Sequence, residues 1–139
     1  MIRDIVKDES ILTQKSELFV RGEDDYIIQD LIDTANAHIE NCAGLASIQL
    51  GIPKRVIVAR NNENKFMVFI NPIIIRTSPE MYTTSEGCLS LEGLRTVQRH
   101  KSILVSWTTP DYKHKVQMFN GRLAQILQHE IDHCNGKLI

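Results

Sequence analysis

The run His129-Glu130-Ile131-Asp132-His133 sets two imidazoles four residues apart, with a carboxylate beside the first. In a helix these imidazoles lie only about 40° apart around the axis, so both can face one divalent cation through neutral ring nitrogens. A carboxylate next to such a pair can take a proton from water and return it to a leaving group. Together they compose metal-assisted hydrolysis. The competing reading is a solvated helix whose match carries no function.

A helix over Gly121 to Cys134 has to position these groups. Leu123, Ile126, Leu127, Ile131 and Cys134 recur at spacings of three and four and form one apolar stripe, and Asn135-Gly136 ends it. Glu130 falls inside the stripe, His129 and His133 lie at its edge, and Gln125, Gln128 and Asp132 lie opposite. Burial penalises a charged carboxylate, so Glu130 on a core-facing stripe needs a partner or a function. A raised pKa there suits a general acid/base.

Two imidazoles do not complete a catalytic metal site. Six residues follow His133, and none is His, Asp or Glu. This counts against a small H-E-x-x-H peptidase, which takes its third ligand downstream. The third ligand is expected upstream, among His38, His100, His114, Cys42, Cys88 and numerous carboxylates.

Cys88 lies in Glu86-Gly87-Cys88-Leu89-Ser90, and Gln128 precedes the two-histidine run. Upstream stands Cys42-Ala43-Gly44-Leu45-Ala46-Ser47-Ile48-Gln49. These three segments, in this order, resemble the three motifs of the peptide deformylase family, E-G-C-L-S, Q-H-E-x-D-H and G-x-G-L-A-A-x-Q. The resemblance covers nearly the whole chain. It implies a cation held by Cys88, His129 and His133, with a fourth position open for water, the arrangement of a catalytic rather than a structural site. Glu130 is then the proton carrier, and the Gln49 amide with the Leu89 backbone N–H holds the developing oxyanion. Gly44, Leu45, Gly87 and Arg95 are candidate substrate-binding residues, and Glu86 and Asp132, close in sequence to the ligands, are candidate supports of them from outside.

The implied reaction removes the N-formyl group from the N-terminal formylmethionine of newly made polypeptides and releases formate. The expected cofactor is one divalent ion, Fe²⁺ in the cell, with Zn²⁺, Ni²⁺ or Co²⁺ able to take its place on purification. The expected partner is a nascent formylated polypeptide within reach of the ribosome, and the expected state is a monomer or weak dimer. A deformylase-like metal-binding protein without catalysis is the alternative from another class. Three departures from the family pattern stand out. Cys42 replaces the usual first Gly, where a side chain is expected to narrow the substrate groove. The loop Leu91 to Arg95 lacks the usual Pro, and the chain stops soon after His133.

Composition bounds the rest. With 139 residues, 42% of them hydrophobic, one catalytic domain over 1–139 is expected. A formal charge of −1 gives no nucleic-acid or membrane-surface signal. Three widely spaced Cys make no disulfide framework, and Met1 to Glu9 holds no apolar signal run, so a reducing cytoplasm is expected.

The remaining periodicities set the frame. Ile28, Leu31, Ile32, Ala35 and Ile39 predict a helix over 24–42. Val-, Ile- and Phe-rich segments at 55–59 and 65–70 predict a hairpin around Asn61 to Asn64, and Asn71-Pro72 is expected to interrupt pairing. A second hairpin is predicted from 102–108 and 115–119. The expected class is α+β, with antiparallel strands wrapped around a C-terminal metal-ligand helix, one further N-terminal helix, and the third ligand supplied by a strand.

Overall fold

The computed structural model describes residues 1–139. Its elements run α1 (Glu9–Leu12), α2 (Tyr26–Ala37), β1 (Gly44–Ala46), a 3-10 turn (Ser47–Leu50), β2 (Val56–Arg60), β3 (Phe66–Thr77), β4 (Met81–Glu86), β5 (Arg95–His100), β6 (Ser102–Thr108), β7 (His114–Asn120) and α3 (Gly121–Cys134). Five strands form one antiparallel sheet in the order β1-β2-β3-β6-β7, and β4 and β5 form a separate hairpin. The α+β class and the C-terminal helix are as the sequence implies. No helix is long and apolar enough to cross a membrane.

Strand β2 explains why the sheet is covered on both faces. Its side chains alternate, so Ile57 and Ala59 join a core cluster with Leu127, Ile131 and Cys134 of α3. Val56 and Val58 join a second cluster with Ile27, Leu31 and Ala35 of α2. A strand buried on both faces reads as a continuous apolar run, as Val56 to Ala59 does. Phe69, Trp107 and Phe119 fill the α3 side, with ring centroids 4.9 to 5.9 Å apart.

Two expectations need correction. Asn71-Pro72 does not end a strand. Strand β3 continues through it and changes partner, pairing with β2 up to Ile70 and with β6 from Ile70 onward, across shifts in register. Asn71 takes φ 50, a region Asn tolerates, while its N–H donates to Arg55 O at 2.7 Å and its side chain bonds the backbone of Phe19. The register shift takes up Pro72, which has no N–H to give the ladder. Cys88, in turn, does not lie on a strand. It lies in the loop joining β4 to β5.

The β4–β5 hairpin covers the polar side of α3. Gln128 accepts from His100 N and donates to His100 O, both at 2.9 Å, which fixes α3 against the end of β5. Helix α3 is therefore packed on its apolar side by the sheet and on its polar side by a hairpin, and the loop of that hairpin brings Cys88 to the helix.

Candidate metal centre and active site

His129 and His133 stand one turn apart on α3, 6% and 0% exposed, with their Nε2 atoms 3.1 Å apart. Cys88 Sγ lies 3.5 Å from His133 Nε2, and one donor atom from each of the three residues falls within 4.8 Å of the others. Two ring nitrogens and a thiol converging in a buried place have no mutual satisfaction unless a cation or a proton stands between them. A tetrahedral Zn-sized ion would separate two nitrogens by about 3.3 Å and a nitrogen from a sulfur by about 3.6 Å. The set fits such an ion.

Electrostatics agree with the geometry. At His129, burial opposes protonation, but hydrogen bonds with Cys88 and Glu86 outweigh it and hold the pKa up at about 10. Burial, reinforced by the neighbouring His129 charge, lowers that of His133 to about 3. A proton shared where the two ring nitrogens meet and a divalent cation would compete for the same place.

The orientation of His129 is set from behind. Its Nδ1 donates to Glu86 Oε1 at 2.8 Å, which turns Nε2 toward His133 as the nitrogen that a cation would take once its proton is displaced. Burial alone would raise the Glu86 pKa, but hydrogen bonds from His129 and Arg99 and the Arg99 charge hold it at about 2. Arg99 bonds both Glu86 oxygens, at 2.9 and 2.7 Å, and its third nitrogen bonds Asp132 at 2.7 Å. Gln125 completes the cage by donating to Glu86 Oε2 at 2.9 Å, and Tyr82 donates to Gln125. Glu86 and Asp132 are thereby gathered outside the three donors, whereas Arg99, Gln125 and Tyr82 carry no signal in the sequence. An isolated Arg in a half-exposed strand has no local pattern that marks its buried partners.

Glu130 is 4% exposed, its Oε1 has no hydrogen-bond partner, and burial raises its pKa to about 7. It faces a cavity of about 330 Å³ lined also by Gly44, Gln49, Gly87, Cys88, Leu89 and His129. Gly44 is there because nothing larger fits. A Cβ built on it would sit 2.8 Å from Ile126 Cγ2 and 2.9 Å from Glu130 Oε2. Gln49 sits in the 3-10 turn, 2% exposed, and its Nε2 lies 3.4 Å from Cys88 Sγ. The Leu89 N–H donates to no protein acceptor, so it is free to meet a substrate oxygen.

Other residues are placed elsewhere. Leu45 is fully buried in the α2-side cluster, because alternation along β1 turns it away from the face that carries Gly44. Arg95 begins β5 opposite Glu86 in the ladder and does not line the cavity. Cys42 does not narrow the groove. It is 2% exposed among Phe19, Ile27, Leu31 and Leu45, its Sγ donates to Gly44 O at 3.3 Å, and burial pushes its pKa up to about 12. The substitution for Gly is absorbed by the core behind the groove. His38 caps the end of α2, and His100 and His114 lie at strand ends away from the three donors.

Similarity to known proteins follows the same residues. The family model described as polypeptide deformylase matches residues 2–139. A peptide deformylase of Clostridium beijerinckii is 43% identical over 139 residues, covering 100% of both chains. Among solved structures, a Met-Ala-Ser-bound class I type b peptide deformylase from Acinetobacter baumannii superposes with a TM-score of 0.90 at 29% identity, over 99% of this chain and 97% of that one. A peptide deformylase from Ehrlichia chaffeensis in complex with actinonin does so with 0.89 at 30% identity, over 99% and 86%.

Proposed function

The chain belongs to the polypeptide deformylase family of metal-dependent hydrolases, and from that premise we propose how its own residues divide the removal of a formyl group from an N-terminal formylmethionine. The observation that carries the reading is the convergence of Cys88, His129 and His133 beside a buried carboxylate whose Oε1 has no partner. Cys88, His129 and His133 would hold the ion. A divalent cation supplies Lewis acidity there, easing deprotonation of water and polarising the formyl carbonyl. The metal read for the cell is Fe²⁺, on the family resemblance alone; the affinity order at an S,N,N set favours Zn²⁺, which makes Zn²⁺ an able substitute on purification.

The chain's own groups do the rest. Glu130, uncharged or charged with comparable ease near neutrality, takes the proton of the attacking water at Oε1. As the carbonyl oxygen gains charge, Gln49 Nε2 and the Leu89 N–H donate to it, in a partly buried cavity where such donors are worth several kcal/mol. Glu130 then delivers its proton to the departing amine nitrogen, the C–N bond breaks, and formate and a free N-terminus leave. Glu86 holds the His129 tautomer throughout, and Arg99 holds Glu86. Gly44 and Gly87 let the peptide approach along the groove. The substrate is a nascent polypeptide in the cytoplasm, met within reach of the ribosome, and 1–139 acts as one catalytic domain.

Turnover of formyl-Met-Ala-Ser with metal analysis under anaerobic conditions tests this. Glu130→Gln keeps size and polarity but cannot accept the proton, so metal should remain bound while kcat falls by about 10²-fold or more. Near wild-type turnover in that variant would overturn the role of Glu130. Metal binding without any deformylation in the wild type would favour a binding module instead.

A further inference from the structure

Ser90 is 3% exposed, and its hydroxyl has one hydrogen-bond partner, Gln49 Nε2 at 3.2 Å. At the other end of the same amide, Gln49 Oε1 accepts from Ala46 N at 3.0 Å. A primary amide has two N–H donors. With one given to Ser90, the second is left directed at Cys88 Sγ, 3.4 Å away and beside the place where the formyl oxygen must gain charge.

These contacts divide the work of orientation. The Ala46 N–H demands an acceptor, so it decides which end of the Gln49 amide is oxygen. It does not fix where the nitrogen lies, because the last torsion of a Gln side chain is broad and two-fold rather than staggered. A second anchor on the nitrogen removes that freedom. We propose that Ser90 is a positioning residue, whose oxygen holds the Gln49 amide nitrogen so that its second N–H, on the side of Cys88, stays aimed at the reacting oxygen. The proposal rests on Gln49 acting as a donor to that oxygen. Ser90 also belongs to the loop that carries Cys88, so one hydrogen bond sets the donor and the metal-binding thiol in register although 39 residues separate them in sequence.

A double-mutant cycle on the metal-loaded enzyme tests this. One hydrogen bond to a neutral amide is worth about a threefold to tenfold effect. Ser90→Ala should therefore lower kcat on formyl-Met-Ala-Ser by about that much, with KM and metal content near wild type. In a Gln49→Ala background the same change should have almost no further effect, because the group Ser90 positions is gone. A readout independent of activity is the Gln49 side-chain amide in ¹⁵N spectra, whose protons should be protected from exchange in the wild type and lose that protection in Ser90→Ala. An equal kcat loss from Ser90→Ala in both backgrounds would assign Ser90 a structural role and overturn the proposal, as would an unchanged kcat with Gln49 present. Full activity in Gln49→Ala would overturn the donor role of Gln49 and this proposal with it, whereas a slow Gln49→Ala beside a fast Ser90→Ala would overturn only the latter.

Discussion

Gly44 approaches Glu130 so closely that a Cβ on the glycine would stand 2.9 Å from the carboxylate Oε2. The strand that lines the groove and the carboxylate that carries the proton thus lie so near each other that no side chain fits between them. Glu130 cannot swing toward β1, and β1 cannot carry a side chain toward the reaction.

The first prediction follows from that contact. Gly44→Ala must displace either Glu130 or Ile126, whose Cγ2 lies 2.8 Å from the new atom. Misplacing a catalytic group by about 1 Å can cost on the order of 10²-fold, so kcat/KM should fall by roughly that factor. Metal content should not change, since the three donors lie elsewhere. Steady-state kinetics with metal analysis checks this, and near-normal kcat/KM would show that Glu130 tolerates the shift.

A second prediction concerns the support of His129. Glu86→Gln removes the anionic acceptor of the His129 Nδ1 proton and breaks the two-bond pairing with Arg99. Loss of such a partner typically weakens metal affinity by about 10- to 100-fold. It also leaves Arg99 buried with Asp132 as its one remaining carboxylate, so stability should fall by about 3 kcal/mol or more. Chelator competition measures the first effect and urea unfolding the second. Unchanged affinity would mean that helix packing alone orients the ring.

Cys42 provides a third, in which stability and activity separate. Its side chain belongs to the core between α2 and the sheet, so Cys42→Gly should cost about 1 to 2 kcal/mol through a small cavity and added chain freedom. Turnover should stay within about twofold of wild type at temperatures where both are folded. A large gain in kcat/KM would mean that the thiol obstructs the groove after all.

The thiols themselves supply the fourth. Burial pushes the Cys42 and Cys134 thiols up to about 12, so at pH 8 both stand in the unreactive thiol form. Raising the pH leaves both silent until the protein nears that value or unfolds. Cys88 is partly exposed in the cavity. A thiol reagent should therefore modify one cysteine rapidly in metal-depleted protein, none with metal bound, and three in denaturant. Rapid reaction of a second thiol in the folded state would show that one of the two cores opens.

Short-range order carried much of this protein in its sequence. The apolar spacing of Leu123 to Cys134 gives α3 its bounds, and the i, i+4 placement of His129 and His133 alone makes their rings converge, because both follow from the helical period. The β6–β7 hairpin is legible for the same reason, its alternation and turn lying within a few residues. Motif resemblance then joined Cys88 and Gln49 to the pair. Tertiary structure decided what no period encodes. Arg99 reaches Glu86 across 13 residues and Asp132 across 33, and Ser90 reaches Gln49 across 41. Polar partners so far apart leave no local pattern, because their pairing depends on which loop the fold lays over which helix face. The side of the sheet that receives Cys42, and the continuation of β3 through Pro72, were likewise set by packing. A substitution or a Pro states a local cost, and only the surrounding core determines whether it is absorbed.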